Sequence, residues 1–127
     1  EISRLASSMM NNGGSLLTLS FYGANKVMPN YNVMGVAKAA LEMSVKYLSV
    51  DLGCNNIRVN AIGPGPTLPS IRQSDADFQR QYSSMPLKRP VNVLEICEAV
   101  RFILETPSMT GQILTLDAGQ HLGWAQP

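Results

Sequence analysis

The sequence predicts an α/β fold, one half of a doubly wound parallel sheet. Three observations carry that expectation. Ser15–Ser20, Asn56–Ile62 and Gln112–Asp117 are short apolar runs without clean alternation, the mark of strands in a covered parallel sheet. Longer segments with apolar residues at helical spacing separate them. Strands joined through helices pair in parallel with right-handed crossovers. Three strands make a thin sheet with apolar edges in need of partners, and doubly wound sheets are assembled from two βαβαβ halves.

Taken in order, residues 1–12 read as the back end of a helix, with Ile2, Leu5, Ala6 and Met9 on one face. Gly13 and Gly14 stop it. Ser15–Ser20 follows as a strand buried on both faces. A polar loop, Gly23 to Asn30, contains Pro29. From Tyr31 to Leu52 a long helix is predicted by Val33, Met34, Val36, Ala37, Ala40, Leu41, Val45 and Leu48, and Gly53 ends it. After the second strand, Gly63-Pro64-Gly65-Pro66 turns the backbone out of the sheet. Residues 67–89 are polar, hold Pro69 and Pro86, and predict a short helix near Asp75–Tyr82 within a binding lid. Val93–Leu104 is an amphipathic helix. The last strand closes on Ala118 and Gly119, and the tail Gln120–Pro127 carries the single His and the single Trp.

The 127 residues fit one domain, 1–127. With 45% hydrophobic and 15% charged residues, the chain has material for a core and is not a charge-driven disordered segment. A net charge of +1 without a basic run gives no basis for a nucleic-acid or polybasic membrane partner. No apolar stretch approaches the roughly 20 residues that span a bilayer, and the opening residues do not read as a signal peptide. Cys54 and Cys97 predict free thiols in a reducing, cytoplasmic compartment.

Tyr31 and Lys38 stand seven residues apart on the long helix. Two turns bring them to one side, about 10.5 Å apart along the axis, where both can flank one bound molecule. A lysine held there adds positive charge, which favours an ionised phenol or an enolate nearby. His121 has no set of metal ligands at motif spacing, and no metal site is expected. Cys54 lacks a base at motif spacing, and Ser15, Ser20 and Ser70 lack the hydrolase elbow. Asp117 is expected at a subunit contact.

The run Leu17-Thr-Leu-Ser-Phe-Tyr-Gly-Ala24, followed by Pro29-Asn-Tyr-Asn-Val-Met-Gly-Val-Ala-Lys-Ala-Ala-Leu-Glu42, closely resembles the enoyl-acyl-carrier-protein reductases. These belong to the short-chain dehydrogenase/reductase superfamily. Their pattern is Tyr, six residues, Lys; in most of the superfamily three residues intervene. Met34 occupies the position four before Lys38 and cannot act as an acid. The resemblance implies a Rossmann-type domain and reduction of the carbon–carbon double bond of an enoyl thioester in fatty acid synthesis. Tyr31 and Lys38 would be catalytic, Tyr31 on the thioester carbonyl and its enolate, Lys38 on the ribose of NADH or NADPH. It also places Ser20 at the cofactor and Phe21, Tyr22, Met34 and Met85 with Tyr31 around the substrate. Phe21 stands where many bacterial members carry Tyr.

Arg58-Val-Asn-Ala-Ile-Gly-Pro-Gly65 resembles the superfamily's sixth strand and the turn after it. That implies a nicotinamide contact from Pro64, Gly65, Pro66 and Thr67, with Pro69 where a Thr is usual. Beyond Gly63, the segments Thr67–Ser74, Pro86–Pro90 and Thr110–Gly119 look more like a general short-chain reductase. The alternatives are therefore a reductase of a carbonyl or pterin-like substrate, or a non-catalytic fragment. The family's partners are acyl-carrier-protein or coenzyme A thioesters, and its long helices imply a homodimer or homotetramer. No G-x-G-x-x-G occurs in the sequence. The expectation is a carboxyl-terminal half whose amino-terminal phosphate-binding half is absent.

Overall fold

The structure, a computed structural model, describes residues 1–123. In chain order the elements are α1 (Ile2–Ser7), β1 (Gly14–Leu19), α2 (Asn32–Asp51), β2 (Ile57–Pro64), α3 (Asp75–Ser83), α4 (Val93–Glu105) and β3 (Ile113–Leu116). Short 3-10 turns lie at Tyr22–Ala24, Gly53–Asn55 and Gln120–Leu122. All three strands are parallel, in the order β1-β2-β3. Gly14 to Leu19 pair with Ile57 to Ile62, and Ala61 to Pro64 pair with Ile113 to Leu116. The expected α/β architecture with a parallel Rossmann-like sheet is what the chain adopts.

β2 is the central strand, and its alternation divides the core. Val59 and Ala61 face α2, where Val45, Leu48, Leu52, Leu16 and Ile113 join them. Ile62 faces α4 and packs with Ala99, Ile103, Leu17, Leu114 and Leu116. Burying a side chain such as Ile62 or Ile103 contributes roughly 1.5–3 kcal/mol. The expectation that the first strand is buried on both faces does not hold. β1 is an edge strand of half-buried residues, and Leu19 is 51% exposed.

The first helix is also shorter than its periodicity suggests. It ends at Ser7 rather than Asn12, and Ile2, Leu5 and Met9 lie exposed. Ser7 and Ser8 turn their hydroxyls back onto the carbonyls of Arg4 and Leu5, at 2.9 and 2.7 Å. Such bonds compete with the helical ladder. The chain then has to reach Gly13, whose φ of +86° excludes most side chains. A Cβ there would sit 2.7 Å from the Asn56 carbonyl oxygen.

Gly63 and Pro64 do not turn the chain out of the sheet; β2 runs through both. The hydrogen-bond phase explains why proline is tolerated. The Ala61 and Gly65 amides donate toward β3, to Gln112 and Leu116, whereas the Ile62 carbonyl accepts from Ser20 on the β1 side. By alternation the Pro64 nitrogen faces β1 beyond that strand's last residue, so no bond to β3 is lost.

α2 is apolar on two sides. Val45 and Leu48 point to the sheet, while Val36, Met43, Tyr47 and Val50 form an outer exposed stripe. Val33, Val36, Ala37 and Ala40 of the predicted pattern therefore lie on exposed faces of the helix.

Two polar side chains of β2 fix the other layer. Arg58 donates to the carbonyls of Ile103, Leu104 and Met109, at 2.7, 2.9 and 3.2 Å, and so binds the carboxyl end of α4. Asn60 is fully buried; it donates to the Met109 carbonyl at 2.9 Å and accepts from the Gln112 amide at 3.0 Å. Asn60→Ala leaves the Gln112 amide without its partner and the Met109 carbonyl with Arg58 alone; an orphaned buried group is worth about 1–3 kcal/mol, and the variant should lose about that much in urea unfolding.

α4 begins in a capping box. Asn92 accepts from the Leu94 amide at 2.9 Å, and Glu95 accepts from the Asn92 amide at 3.0 Å. A hydrogen bond from the Arg89 guanidinium, reinforced by the Asn92 amide, holds the Glu95 carboxyl below its ordinary value of 4.5. The stabilisation is therefore present above that value and fades as pH falls through the lowered folded one. Amide exchange at Leu94–Ile96 should accelerate over that acid range and stay pH-flat, after intrinsic correction, in Glu95→Gln.

Candidate active site

The candidate site is built where β1 ends and α2 begins. The segment after Leu19 leaves the sheet and lies along α2, held at three levels. At the first, the Lys38 ammonium donates to the Leu19 carbonyl at 2.9 Å. At the second, Tyr31 immediately precedes α2, and its carbonyl accepts from the Gly35 amide at 2.6 Å. Its ring meets Phe21 edge-on, with centroids 5.5 Å apart, and Phe21 meets Tyr22 likewise at 4.7 Å. Close approach depends on Gly23, where a Cβ would fall 2.7 Å from two Tyr31 ring carbons. Tyr31 and Lys38 thus act on one short segment, Leu19–Gly23.

The third level is Glu42, one turn beyond Lys38. Its two carboxylate oxygens accept from the Ser20 hydroxyl at 2.6 Å and from the Asn25 amide nitrogen at 2.9 Å. The sequence reading overlooked this residue. The available signal was its spacing: Lys38 and Glu42 are four apart and share a helix face. Ser20, expected at the cofactor, is buried, and its hydroxyl donates to Glu42.

The turn after β2 is folded inward. Gly65 and Pro66 are buried; the Gly65 amide donates to Leu116, and the Pro66 carbonyl accepts from the Val91 amide. The Thr67 hydroxyl donates to the Gly65 carbonyl at 3.0 Å. Gly65 is required by packing, since a Cβ would lie 2.7 Å from the Asp117 Cα. Met85, expected to line a substrate pocket, is 2% exposed and belongs to the core. Its loop is drawn down by bonds from Leu87 to Ala118 and from Val91 to Pro66. Phe21 is half-buried, Tyr22 buried and Met34 exposed.

A cavity of about 360 Å³ lies between the loop Gly23–Met28 and the first turns of α2, with Tyr31, Asn32, Gly35 and Val36 on its wall. Lys38 and residues 64–67 are not on that wall. A second, of about 270 Å³, is bordered by Tyr22, Asn25, Glu42, Gly63, Thr115 and His121. Asp117 is another residue whose role the sequence hid. Its buried carboxylate accepts from the Gly119 and His121 amides at 3.0 and 2.7 Å and faces the His121 ring nitrogen Nδ1 at 2.9 Å. Its partners lie within its own tail. Trp124 lies outside the described residues. Among the described residues no group of three or more His, Cys, Asp or Glu could hold a metal ion. No helix among them is long and apolar enough to cross a membrane.

A parallel sheet with a Tyr and a Lys at the start of the helix beside its carboxyl edge is the arrangement of a short-chain dehydrogenase/reductase, and the seven-residue interval is that of its enoyl reductases. Within that class the chain belongs to the enoyl-(acyl carrier protein) reductase family, whose model matches residues 1–121. It is 49% identical over 128 residues to the NADH-dependent enoyl-[acyl-carrier-protein] reductase FabI of Rickettsia typhi, covering 96% of this chain and 49% of that protein. An enoyl-[acyl-carrier-protein] reductase of Rhizobium meliloti is also 49% identical, over 91% of this chain and 45% of its own length. The chain thus spans about half the length of the curated relatives it matches. Among solved structures, the Anaplasma phagocytophilum enoyl reductase in complex with NAD superposes with a TM-score of 0.84 at 43% identity, over 99% of this chain and 48% of that one. The FolM alternative dihydrofolate reductase 1 of Brucella canis, complexed with NADP, gives 0.87 at 39% identity, over 97% and 51%.

The Gly23–Tyr31 contact yields a direct test. Gly23→Ala has to push the Tyr31 ring or the loop aside, and overpacking of this kind costs about 1–3 kcal/mol. We expect that loss in urea unfolding, together with disappearance of the Phe21–Tyr31 ring contact in nuclear Overhauser spectra.

Proposed function

We propose that residues 1–127 form the carboxyl-terminal half of a Rossmann-type reductase domain. Its reaction is reduction of the carbon–carbon double bond of an enoyl thioester, carried on acyl-carrier-protein or coenzyme A, with NADH or NADPH in fatty acid synthesis. The observation that carries this reading is the convergence of Tyr31 and Lys38 on the Leu19–Gly23 segment, at the carboxyl edge where such sheets receive ligands.

The residues present fit a nicotinamide dinucleotide. The Lys38 ammonium is anchored through one hydrogen bond to Leu19, which leaves two of its three donors for ribose hydroxyls. Pro64–Thr67 stand at the end of β2; with the Gly65 amide and the Pro66 carbonyl bonded inside the fold, Thr67 is assigned the contact to the nicotinamide end. When bound, the dinucleotide supplies a hydride to the substrate's β-carbon. Tyr31 would donate a hydrogen bond to the thioester oxygen, the Lys38 charge would stabilise the enolate that develops there, and a proton from water at the α-carbon would complete the reduction. Phe21 and Met34 border the acyl group. The outer stripe of α2 supports self-association as a homodimer or homotetramer. A cytoplasmic location fits the two free thiols.

A second reading, reduction of a dihydropterin-like ring, is favoured by the likeness to the Brucella dihydrofolate reductase. The full-length protein separates them: NADH or NADPH oxidation with a crotonyl thioester supports the first, and oxidation with dihydrofolate alone supports the second. Under the first reading, Lys38→Ala and Tyr31→Phe each lower kcat/KM by about a hundredfold or more, the scale of losing a donor to a developing oxyanion. Wild-type turnover in both variants rejects the assignment.

A further inference from the structure

We infer that Glu42 is a positioning residue, held away from Lys38 by Ser20 and Asn25 so that the ammonium stays available to the dinucleotide; this rests on the function proposed above. Lys38 and Glu42 are four apart on α2, where opposite charges are neighbours and ordinarily pair. Yet no ion pair joins these two described residues. Instead both Glu42 oxygens are occupied, one by the Ser20 hydroxyl and one by the Asn25 amide.

The bonds differ in setting. Ser20 is buried, so its 2.6 Å bond to a carboxylate is shielded from water and strong. Asn25 is exposed and closes the other oxygen from the far end of the same loop. The arrangement has two consequences. The loop that carries Phe21 and Tyr22 is clamped at both ends. The negative charge is also fixed in a place from which it cannot fold back to neutralise Lys38. A carboxylate released from Ser20 would compete with ribose hydroxyls for the ammonium.

The test uses the full-length protein and NADH binding followed by fluorescence. Ser20→Ala should raise the NADH dissociation constant about tenfold while changing kcat at saturating NADH less than twofold. Adding Glu42→Gln removes the competing charge and should restore the wild-type constant within threefold. A residue that served only to pack the loop would give the opposite result, a double variant as weak as Ser20→Ala or weaker, and that outcome overturns the inference. An unchanged constant in Ser20→Ala overturns it equally. Asn25→Ala, at an exposed position, with and without Glu42→Gln, provides the same comparison if Ser20→Ala does not fold. Lys38→Ala distinguishes the two levels. If it leaves NADH affinity intact, the proposed function and the role of Glu42 fall together. If it weakens binding while the Ser20 or Asn25 comparison fails, the function stands and the role of Glu42 is rejected.

Discussion

The hydrogen bond from Lys38 to the Leu19 carbonyl is the constraint on which the candidate site depends. It fixes a helix side chain to the last residue of a strand, at the point where that strand gives up its ladder. With Lys38 fixed, the rest of the α2 face is in register: Tyr31 two turns earlier meets Phe21 and Gly23, and Glu42 one turn later meets Ser20 and Asn25. One rigid helix thereby meets Leu19, Ser20, Phe21, Gly23 and Asn25 where the chain leaves the sheet. The helix itself is held by Val45 and Leu48 against Val59 and Ala61, so the precision of the site originates in the core beneath it.

Much of this was legible in the sequence because it follows from periodicity and spacing. The apolar runs located the strands within a residue or two, and the seven-residue interval placed Tyr31 and Lys38 on one side of α2. The short helix expected near Asp75–Tyr82 and the amphipathic helix expected over Val93–Leu104 stand where the structure has α3 and α4. What escaped was set by tertiary partners. Met85 is a flexible apolar side chain at home in a pocket or a core, and only the bonds of its loop to Ala118 and Pro66 place it in the core. Ser20 is a hydroxyl at a strand end, and nothing local says that it faces a glutamate twenty-two residues on.

Burial on β2 illustrates the same division. Its apolar residues announced a strand, but Asn60 at its centre would ordinarily argue against a fully buried position. The structure accepts it because the side chain replaces backbone partners for Met109 and Gln112, where the chain arrives from α4 to begin β3. Arg58 performs the related task for the end of α4. These two polar residues set the sheet-to-helix connection, whereas the apolar ones supply the driving force.

Pro64 has a further effect through the bond it cannot make. In a parallel ladder that already runs from the Ser20 amide to the Ile62 carbonyl, the next rung would come from the nitrogen of residue 64 to the Ser20 carbonyl. Proline has no hydrogen to offer there. That one rung between the two neighbouring strands is lost, whatever follows Ser20 in the chain. The imino ring thus weakens the ladder between β1 and β2 at its carboxyl end, and the place where the two backbones part is favoured by the covalent chemistry of a single residue.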